Sequence, residues 1–453
     1  MSEPPRSFEK SDQVESGIPS RDPSSDGGHK ETATQKPFYP AGATKAWLTV
    51  FGCFCIQFST VASVNSFGVF EDFYVTEFLP SSSASRISWV IGLEIFLQLG
   101  LGVVGGRLSD MGYTRAVLAT GSIIYLVSFF MLSLAKEDQY YQVILAQGVG
   151  MGIGVGLCYV PALVTAALHF PGRQAIAMGI VICSGSFGGG IFSIMINQLI
   201  QKHGFASAVR AAAYLALGLL AIGNFLITVP PRPPKAATGE TNLLYIPYVL
   251  TLVSGLLGQL GGLFPLFYIQ LFADSHHLAR GFVFYCVAAM SFSTAFGRVI
   301  PSYFADKYGS IGTYIVCGFT NGTYNLPNSN FSTLICFFLA GCAFIMFGAK
   351  SPGGLIVFCI FYGFFFGSTT SLFTPVITAL MPSEADRGKL VGVAMAPVAL
   401  ASLFGSPIGG RVVGGNYDWW KGIVWTGVLL AAAASIQIIA RHIHRKNKHN
   451  AGY

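Results

Sequence analysis

The sequence predicts an all-α membrane protein with twelve transmembrane helices in two related six-helix halves. Three observations support this fold class. Only 10% of the residues are charged and 52% are hydrophobic, whereas soluble domains carry about a quarter charged residues. The mean hydropathy is +0.58. The apolar residues form long runs, most of them long enough to cross about 30 Å of hydrocarbon as a helix.

The first half of the chain begins after a polar segment, residues 1–44, which is rich in Ser, Pro and charged residues and is predicted to be a disordered cytosolic tail. Six apolar spans are then predicted within an N-terminal half at 45–229. They cover approximately residues 46–70, 87–106, 114–134, 142–168, 175–200 and 209–229.

A proline-rich segment at 230–243 is predicted to be a stiff cytosolic linker between the halves. The C-terminal half is predicted at 244–440 and is followed by a basic cytosolic tail at 441–453. Its six spans cover approximately residues 244–270, 280–301, 333–349, 354–380, 389–411 and 420–440. Basic residues are in excess in the tails and the even-numbered loops, so the positive-inside rule predicts that both termini are cytosolic.

A short turn sequence occurs between two spans in each half. The first copy is Gly106-Arg107-Leu108-Ser109-Asp110-Met111-Gly112-Tyr113-Thr114-Arg115, and the second is Ser302-Tyr303-Phe304-Ala305-Asp306-Lys307-Tyr308-Gly309. The second half also carries a polar stretch at about 312–332 that the first half lacks. This stretch is either an ordinary loop insertion or a translated retained intron, and sequencing of the mature transcript distinguishes the two.

The two turn copies resemble the signature loop of the major facilitator superfamily, which implies the major facilitator fold and a secondary carrier of solutes. Further stretches in order along the chain resemble the fungal branch of the monocarboxylate porter family. They lie at 64–70, 86–89, 169–189, 305–309, 353–363 and 405–410. The resemblance implies transport of a small organic anion by alternating access.

Two positions depart from the animal lactate carriers of that family. Asn65 stands where those carriers have a lysine in the first span, and Thr294 stands where their eighth span has an aspartate. Arg298, one helical turn after Thr294, is kept. Proton–lactate symport by the mechanism of those carriers is therefore not expected.

Polar residues inside the spans are the candidates for solute binding. Arg298 is expected to bind an anionic group, because a guanidinium matches a carboxylate and is costly in a membrane without a partner; the alternative is a structural ion pair or a part of the cytosolic gate. Asn65, Tyr159 and Tyr362 are its expected neighbours, although most such residues only join helices.

Glu94, interpreted as the only carboxylate well inside a span, is the proton-coupling candidate. The alternatives are a position at the outer mouth or a hydrogen bond between helices.

The charged residues of the two turns are expected to form a cytosolic gate, with glycines that permit the tight turns. The candidate gate residues are Gly106, Arg107, Asp110, Gly112, Arg115, Arg173, Asp306, Lys307 and Gly309. The sequons at Asn321 and Asn330 fall in a predicted cytosolic segment, so no glycan is expected there.

Three hypotheses for function follow. The first is a carrier of a monocarboxylate-like anion, the second is an efflux pump for a fungal secondary metabolite, and the third is a non-transporting sensor that signals through residues 1–44. The aromatic run at 361–366 favours the second. An enzyme, a cofactor, a metal and a nucleic-acid partner are not expected. The expected partners are an anionic solute, protons and the bilayer of the plasma membrane, with a vacuolar or other internal membrane as the alternative.

Overall fold

The computed structural model describes residues 42–170, 174–229, 244–276, 278, 280–312, 339–380, 387–415 and 417–450. Most of the predicted N-terminal tail, the whole predicted linker and all but the first residue of the predicted insertion lie outside these residues. A described helix coincides with each of the twelve predicted spans, the ninth being covered in part.

The helices of the first half have these bounds: α1 Ala43–Asn65, α2 Phe67–Phe73, α3 Ala84–Ile87, α4 Trp89–Leu108, α5 Thr114–Leu132, α6 Tyr140–Val143, α7 Gly152–Leu168, α8 Gln174–His203 and α9 Phe205–Leu226. The helices of the second half are α10 Ile246–Ser275, α11 Arg280–Gly312, α12 Leu339–Gly348, α13 Pro352–Ala379, α14 Arg387–Val413 and α15 Trp419–Asn450. Within the described ranges, nine helical segments are long and apolar enough to cross a membrane. One of these, Ala84–Leu132, contains two spans, and α11 and α12 complete the twelve.

The first membrane helix is longer than predicted. After a break at Ser66 the chain continues as α2 and then as a π-helical segment, Tyr74–Phe78, instead of ending at residue 70. The reason is apolar packing: the rings of Phe78 and Phe205, at the start of α9, are 4.6 Å apart. The carboxylates of Glu71 and Asp72 therefore belong to the first membrane helix.

The two copies of the turn motif differ in structure. In the first copy Gly112 adopts a φ of 97°, so a glycine is needed between α4 and α5, as predicted. In the second copy α11 continues as a helix through Gly309 to Gly312, so the predicted turn at Gly309 is wrong. The predicted C-terminal tail is also helical at its start, because α15 extends to Asn450.

The two halves share one packing pattern. In the first half α1 packs against α8 and α9, and α4 packs against α7; in the second half α10 packs against α14 and α15, and α11 packs against α13. The halves meet through α8 against α11 and through α4 against α14, which are also equivalent pairs. Small residues permit these approaches, as at Gly92 on α4, which lies against the Leu403 carbonyl of α14.

The helix bundle has two ends, which differ in whether the chain begins and ends there. The tail end is the end at which α1 begins and α15 ends, and the distal end is the opposite one. At the distal end Ser85 Oγ donates to the Pro407 carbonyl across the halves at 2.8 Å. Gln270 Nε2 of the second half donates to Asp72 Oδ2 of the first at 2.9 Å. Contacts between the halves therefore close the distal end.

Candidate solute site and gates

Arg298 lies near the middle of α11, at the contact with α8 of the other half. Its Nη1 donates to the Ile182 carbonyl at 3.2 Å. Its charge interacts electrostatically with the Tyr159 hydroxyl and the Cys183 thiol. The structure thus brings together two predicted site residues, Arg298 and Tyr159, from different halves of the protein. A cation shared between the halves suits recognition of an anion during alternating access.

Aromatic rings also pack at the contact between α8 and α11. The Phe187 ring of α8 is 6.0 Å from the Phe292 ring and 5.9 Å from the Phe296 ring, both on α11. Phe296 is 53% exposed and, two residues before Arg298, projects from a different face of α11. The contact between α8 and α11 therefore contains aromatic rings as well as the positive charge of Arg298.

Tyr159 is held in place through its backbone. Gln57 Nε2 of α1 donates to the Tyr159 carbonyl at 2.8 Å. Gln57 is buried, and its Oε1 has no hydrogen-bond partner among the described residues. The prediction omitted Gln57, although a Gln inside an apolar span was a signal for it. Its free amide oxygen is a hydrogen-bond acceptor one contact away from the predicted site.

Asn65 joins helices at the end of α1. Its Nδ2 donates to the Val61 carbonyl at 3.1 Å and to the Gly185 carbonyl of α8 at 3.2 Å. Its own backbone carbonyl accepts a hydrogen bond from Ser291 Oγ of α11 at 3.3 Å. The Asn65 amide is therefore engaged by backbone groups, so in this conformation the residue positions α8 and α11 rather than presenting donors to a solute.

Tyr362 is fully buried inside the second half. Its hydroxyl donates to the Gly262 carbonyl of α10 at 2.8 Å, and its ring stacks on Phe358 and Phe366. The predicted grouping of Tyr362 with Arg298 and Tyr159 has no support in these contacts. The physical reason is that a phenol inside apolar packing uses its one donor on a local carbonyl.

Glu94 is fully buried between α1, α4 and α7. Ser63 Oγ donates to Glu94 Oε1 at 2.9 Å, while Oε2 has no hydrogen-bond partner in the described part of the chain. Other polar groups line the same region: the Tyr74 hydroxyl donates to Gln147 Oε1 at 2.9 Å. The arrangement is that of a carboxyl group that can hold a proton inside the first half.

The prediction that Glu94 is the only carboxylate inside a span is wrong. Glu71 on α2 is also fully buried, and Ser88 Oγ lies 2.8 Å from its Oε1. Glu71 was missed because the first span was ended at residue 70. The signal was present, since Phe73, Tyr74 and Phe78 continue the aromatic pattern beyond the two acids.

The predicted gate residues of the first turn lie at the tail end, and some of the other candidates are outside the described residues. Arg107, Asp110 and Arg115 are exposed around the Gly112 turn, and Gly106 packs against Val160. Arg115 Nη2 donates to the Ile227 carbonyl at 3.1 Å, which ties the turn to the end of α9. Asp306, Lys307 and Gly309 belong to the helical backbone of α11 and their side chains are not described; Arg173 lies outside the described residues. The gate assignment stays a prediction.

Comparisons with known proteins agree with this architecture. Residues 47–326 match the sequence model of the Major Facilitator Superfamily. A bacterial homologue of the human lysosomal transporter Spinster, solved in an inward-facing and unoccupied conformation, superposes with a TM-score of 0.66 at 15% identity. That superposition covers 89% of this chain and 98% of the other. It is evidence for the fold alone.

Sequence relatives are fungal transporters. MFS-type transporter 1 of Ophiocordyceps sp. is 32% identical over 89% of this chain and 86% of its own. The aspyridones efflux protein apdF of Emericella nidulans is 32% identical over 85% of this chain and 75% of its own. The agnestins efflux protein AgnL12 of Paecilomyces divaricatus is 31% identical over 93% of both chains. The chain therefore belongs to the major facilitator superfamily and is a multi-pass membrane transporter.

Proposed function

We propose that this transporter is an efflux carrier for an organic anion of the secondary-metabolite type, moved by alternating access. The observation that carries the proposal is the position of Arg298 at the α8–α11 contact, where it interacts with Tyr159 and where the rings of Phe187, Phe292 and Phe296 also pack. A planar guanidinium binds carboxylate or enolate oxygens through two parallel hydrogen bonds. The aromatic rings bind the apolar body of the solute.

The names of two relatives support export. Both are named as efflux proteins, for aspyridones and for agnestins, and both align over most of this chain. The sequence supports it too, because Asn65 and Thr294 replace the lysine and aspartate of the lactate carriers. A monocarboxylate-like solute is the second candidate, favoured by the retained Arg298 and by the motif resemblance.

The transport cycle proposed here uses the contacts between the halves. The distal closure formed by Ser85 with Pro407 and by Asp72 with Gln270 holds the solute site away from the distal compartment. Solute enters from the tail end, binds between α8 and α11, and leaves after the halves separate at the distal end. With both termini cytosolic, as the distribution of basic residues predicts, this direction is export from the cytosol.

The test measures solute flux in proteoliposomes that contain the full chain, with a panel of aromatic carboxylic acids, lactate and pyruvate as probes. Loss of a charged hydrogen bond costs about 1.5–3 kcal/mol, so Arg298→Ala is expected to reduce flux of the preferred acid roughly ten- to 150-fold. Arg298→Lys keeps the charge but loses the planar fork and is expected to restore only part of the flux.

Arg210→Ala is the matched control, because Arg210 is exposed on α9 and, among the described residues, its Nε donates to the nearby Ala206 carbonyl alone. It is expected to leave flux unchanged. A deletion strain that accumulates an aromatic acid inside the cell supports export, whereas a growth defect on an external monocarboxylate supports the second candidate. Normal flux of every transported acid by Arg298→Ala contradicts the proposed site.

A further inference from the structure

Glu71 stands where three helices of both halves meet at the distal end. Three oxygen atoms surround Ser88 Oγ: Glu71 Oε1 at 2.8 Å, the Ala84 carbonyl at 2.9 Å, and the Tyr268 hydroxyl of α10 in short contact. Glu71, Ser88 and Tyr268 are all fully buried. This cluster joins α2 and α4 of the first half to α10 of the second.

Counting hydrogens indicates how the cluster is protonated. Four oxygen–oxygen contacts lie at hydrogen-bond distance, because the Tyr268 hydroxyl is also 3.4 Å from the Ala84 carbonyl, but Ser88 and Tyr268 supply only one hydrogen each. The Ala84 carbonyl can only accept. A hydrogen on the carboxyl group of Glu71 adds a third donor to the cluster. With it, Ser88 can donate to Ala84 and accept from both Glu71 and Tyr268, so that all three contacts of Ser88 Oγ are hydrogen bonds.

The charges around Glu71 agree with this count. In the described part of the chain no basic side chain bonds to Glu71, and its Oε2 has no hydrogen-bond partner. The neighbouring acid on α2 is Asp72, which bonds to Gln270. Arg86 of α3 is exposed, and its guanidinium lies over the Tyr140 ring, 4.6 Å from the ring centroid. The Tyr140 hydroxyl also donates to the Arg86 backbone carbonyl. An ionised Glu71 would have no charge partner while buried, which is costly.

We propose that Glu71 is a proton-binding site that controls the distal gate: with a proton bound it completes the cluster with Ser88 and Tyr268 and holds the halves together, and without the proton the gate opens. Separation of the halves exposes the carboxyl group to water, where the ionised form is stable. Because gate opening and proton release are linked, the open fraction changes by up to about tenfold per pH unit in the titrating range.

The test follows opening of the distal gate in nanodiscs and needs no transported solute, so its failure would leave the proposed function untouched. Ser85 lies between the halves, with its Oγ on the Pro407 carbonyl, so Ser85→Cys reports separation by reaction with a charged maleimide. The labelling rate of Ser85→Cys is divided by that of Ser81→Cys, a second variant with its cysteine at an exposed distal position. This ratio removes the pH dependence of thiol ionisation, which affects both rates. The parent chain gives the background from native cysteines, which is subtracted.

With Glu71 present, the labelling ratio is expected to rise at least about tenfold between pH 5 and pH 8. In Glu71→Gln the amide supplies the third hydrogen at every pH, so the ratio is expected to stay low and to change less than about twofold. Glu77→Gln, an exposed acid on the same distal segment, is the matched control and is expected to keep the full pH response.

Tyr268→Phe is the second variant. It removes one of the three hydrogens, so it is expected to raise the labelling ratio at pH 5 while the pH response persists. Three results would each overturn the proposal. They are a pH-independent labelling ratio in the chain with native Glu71 and Tyr268, an unchanged pH response in Glu71→Gln, and a Tyr268→Phe ratio at pH 5 equal to that of the chain with native Tyr268.

Discussion

Closure of the distal end depends on a glycine that no other residue can replace without moving the halves apart. A Cβ atom on Gly92 of α4 would lie 2.5 Å from the Leu403 carbonyl oxygen of α14, and its three nearest atoms would all belong to Leu403 and Ser402 of the other half. Ordinary contact begins at 3.4 Å, so in Gly92→Ala the helices must separate by about 0.9 Å at this point. The substitution therefore acts on the contact between the halves and not on the packing within the first half.

The size of the effect follows from that displacement. Overpacking by one methyl group costs about 1–3 kcal/mol in a well-packed interior. Because only the distal-closed state contains the Gly92–Leu403 approach, this cost shifts the equilibrium toward the distal-open state by roughly 5- to 150-fold. Labelling of Ser85→Cys in nanodiscs at pH 5, relative to Ser81→Cys, is expected to rise accordingly, while thermal stability changes little.

Gly100→Ala is the control for this experiment. Gly100 lies on the same helix, and a Cβ atom there would meet no other atom within 4 Å, so the same substitution is expected to leave labelling unchanged. A well-folded Gly92→Ala protein with the labelling rate of the parent would refute the reasoning, because it would mean that closure does not require α4 and α14 to approach at Leu403.

Two further predictions concern proton coupling and the N-terminal tail. Glu94→Gln keeps an acceptor for Ser63 but cannot release a proton, so solute flux in proteoliposomes is expected to persist while losing its dependence on an imposed pH gradient; a flux that still follows the gradient would remove Glu94 from the coupling mechanism. A chain that lacks residues 1–41 is expected to retain solute flux, and complete loss of flux in correctly inserted protein would favour the sensor hypothesis.

Local sequence was sufficient to predict the membrane helices and to single out Arg298 as a candidate site residue. Hydropathy is a property of consecutive residues, so each apolar run predicted a helix that the structure contains. Arg298 was recognisable because a cation inside an apolar run needs a partner. The φ of Gly112 was also predictable, because the tight turn between α4 and α5 requires a residue without Cβ.

The partners of these residues depended on tertiary structure. The Ile182 carbonyl that accepts from Arg298 and the Tyr268 hydroxyl beside Ser88 lie far away along the chain, and only the packing of one half against the other brings them together. The contact of the Tyr362 hydroxyl with the Gly262 carbonyl depends on tertiary structure in the same way, because it forms between α10 and α13. The predicted role of Tyr362 in solute binding stays a prediction. Glu71 became part of the membrane region because Phe78 packs on Phe205, a contact that extends the first helix past the point where hydropathy alone would end it. Composition along the chain determines which segments enter the membrane, whereas the contacts between helices determine which polar groups share a site.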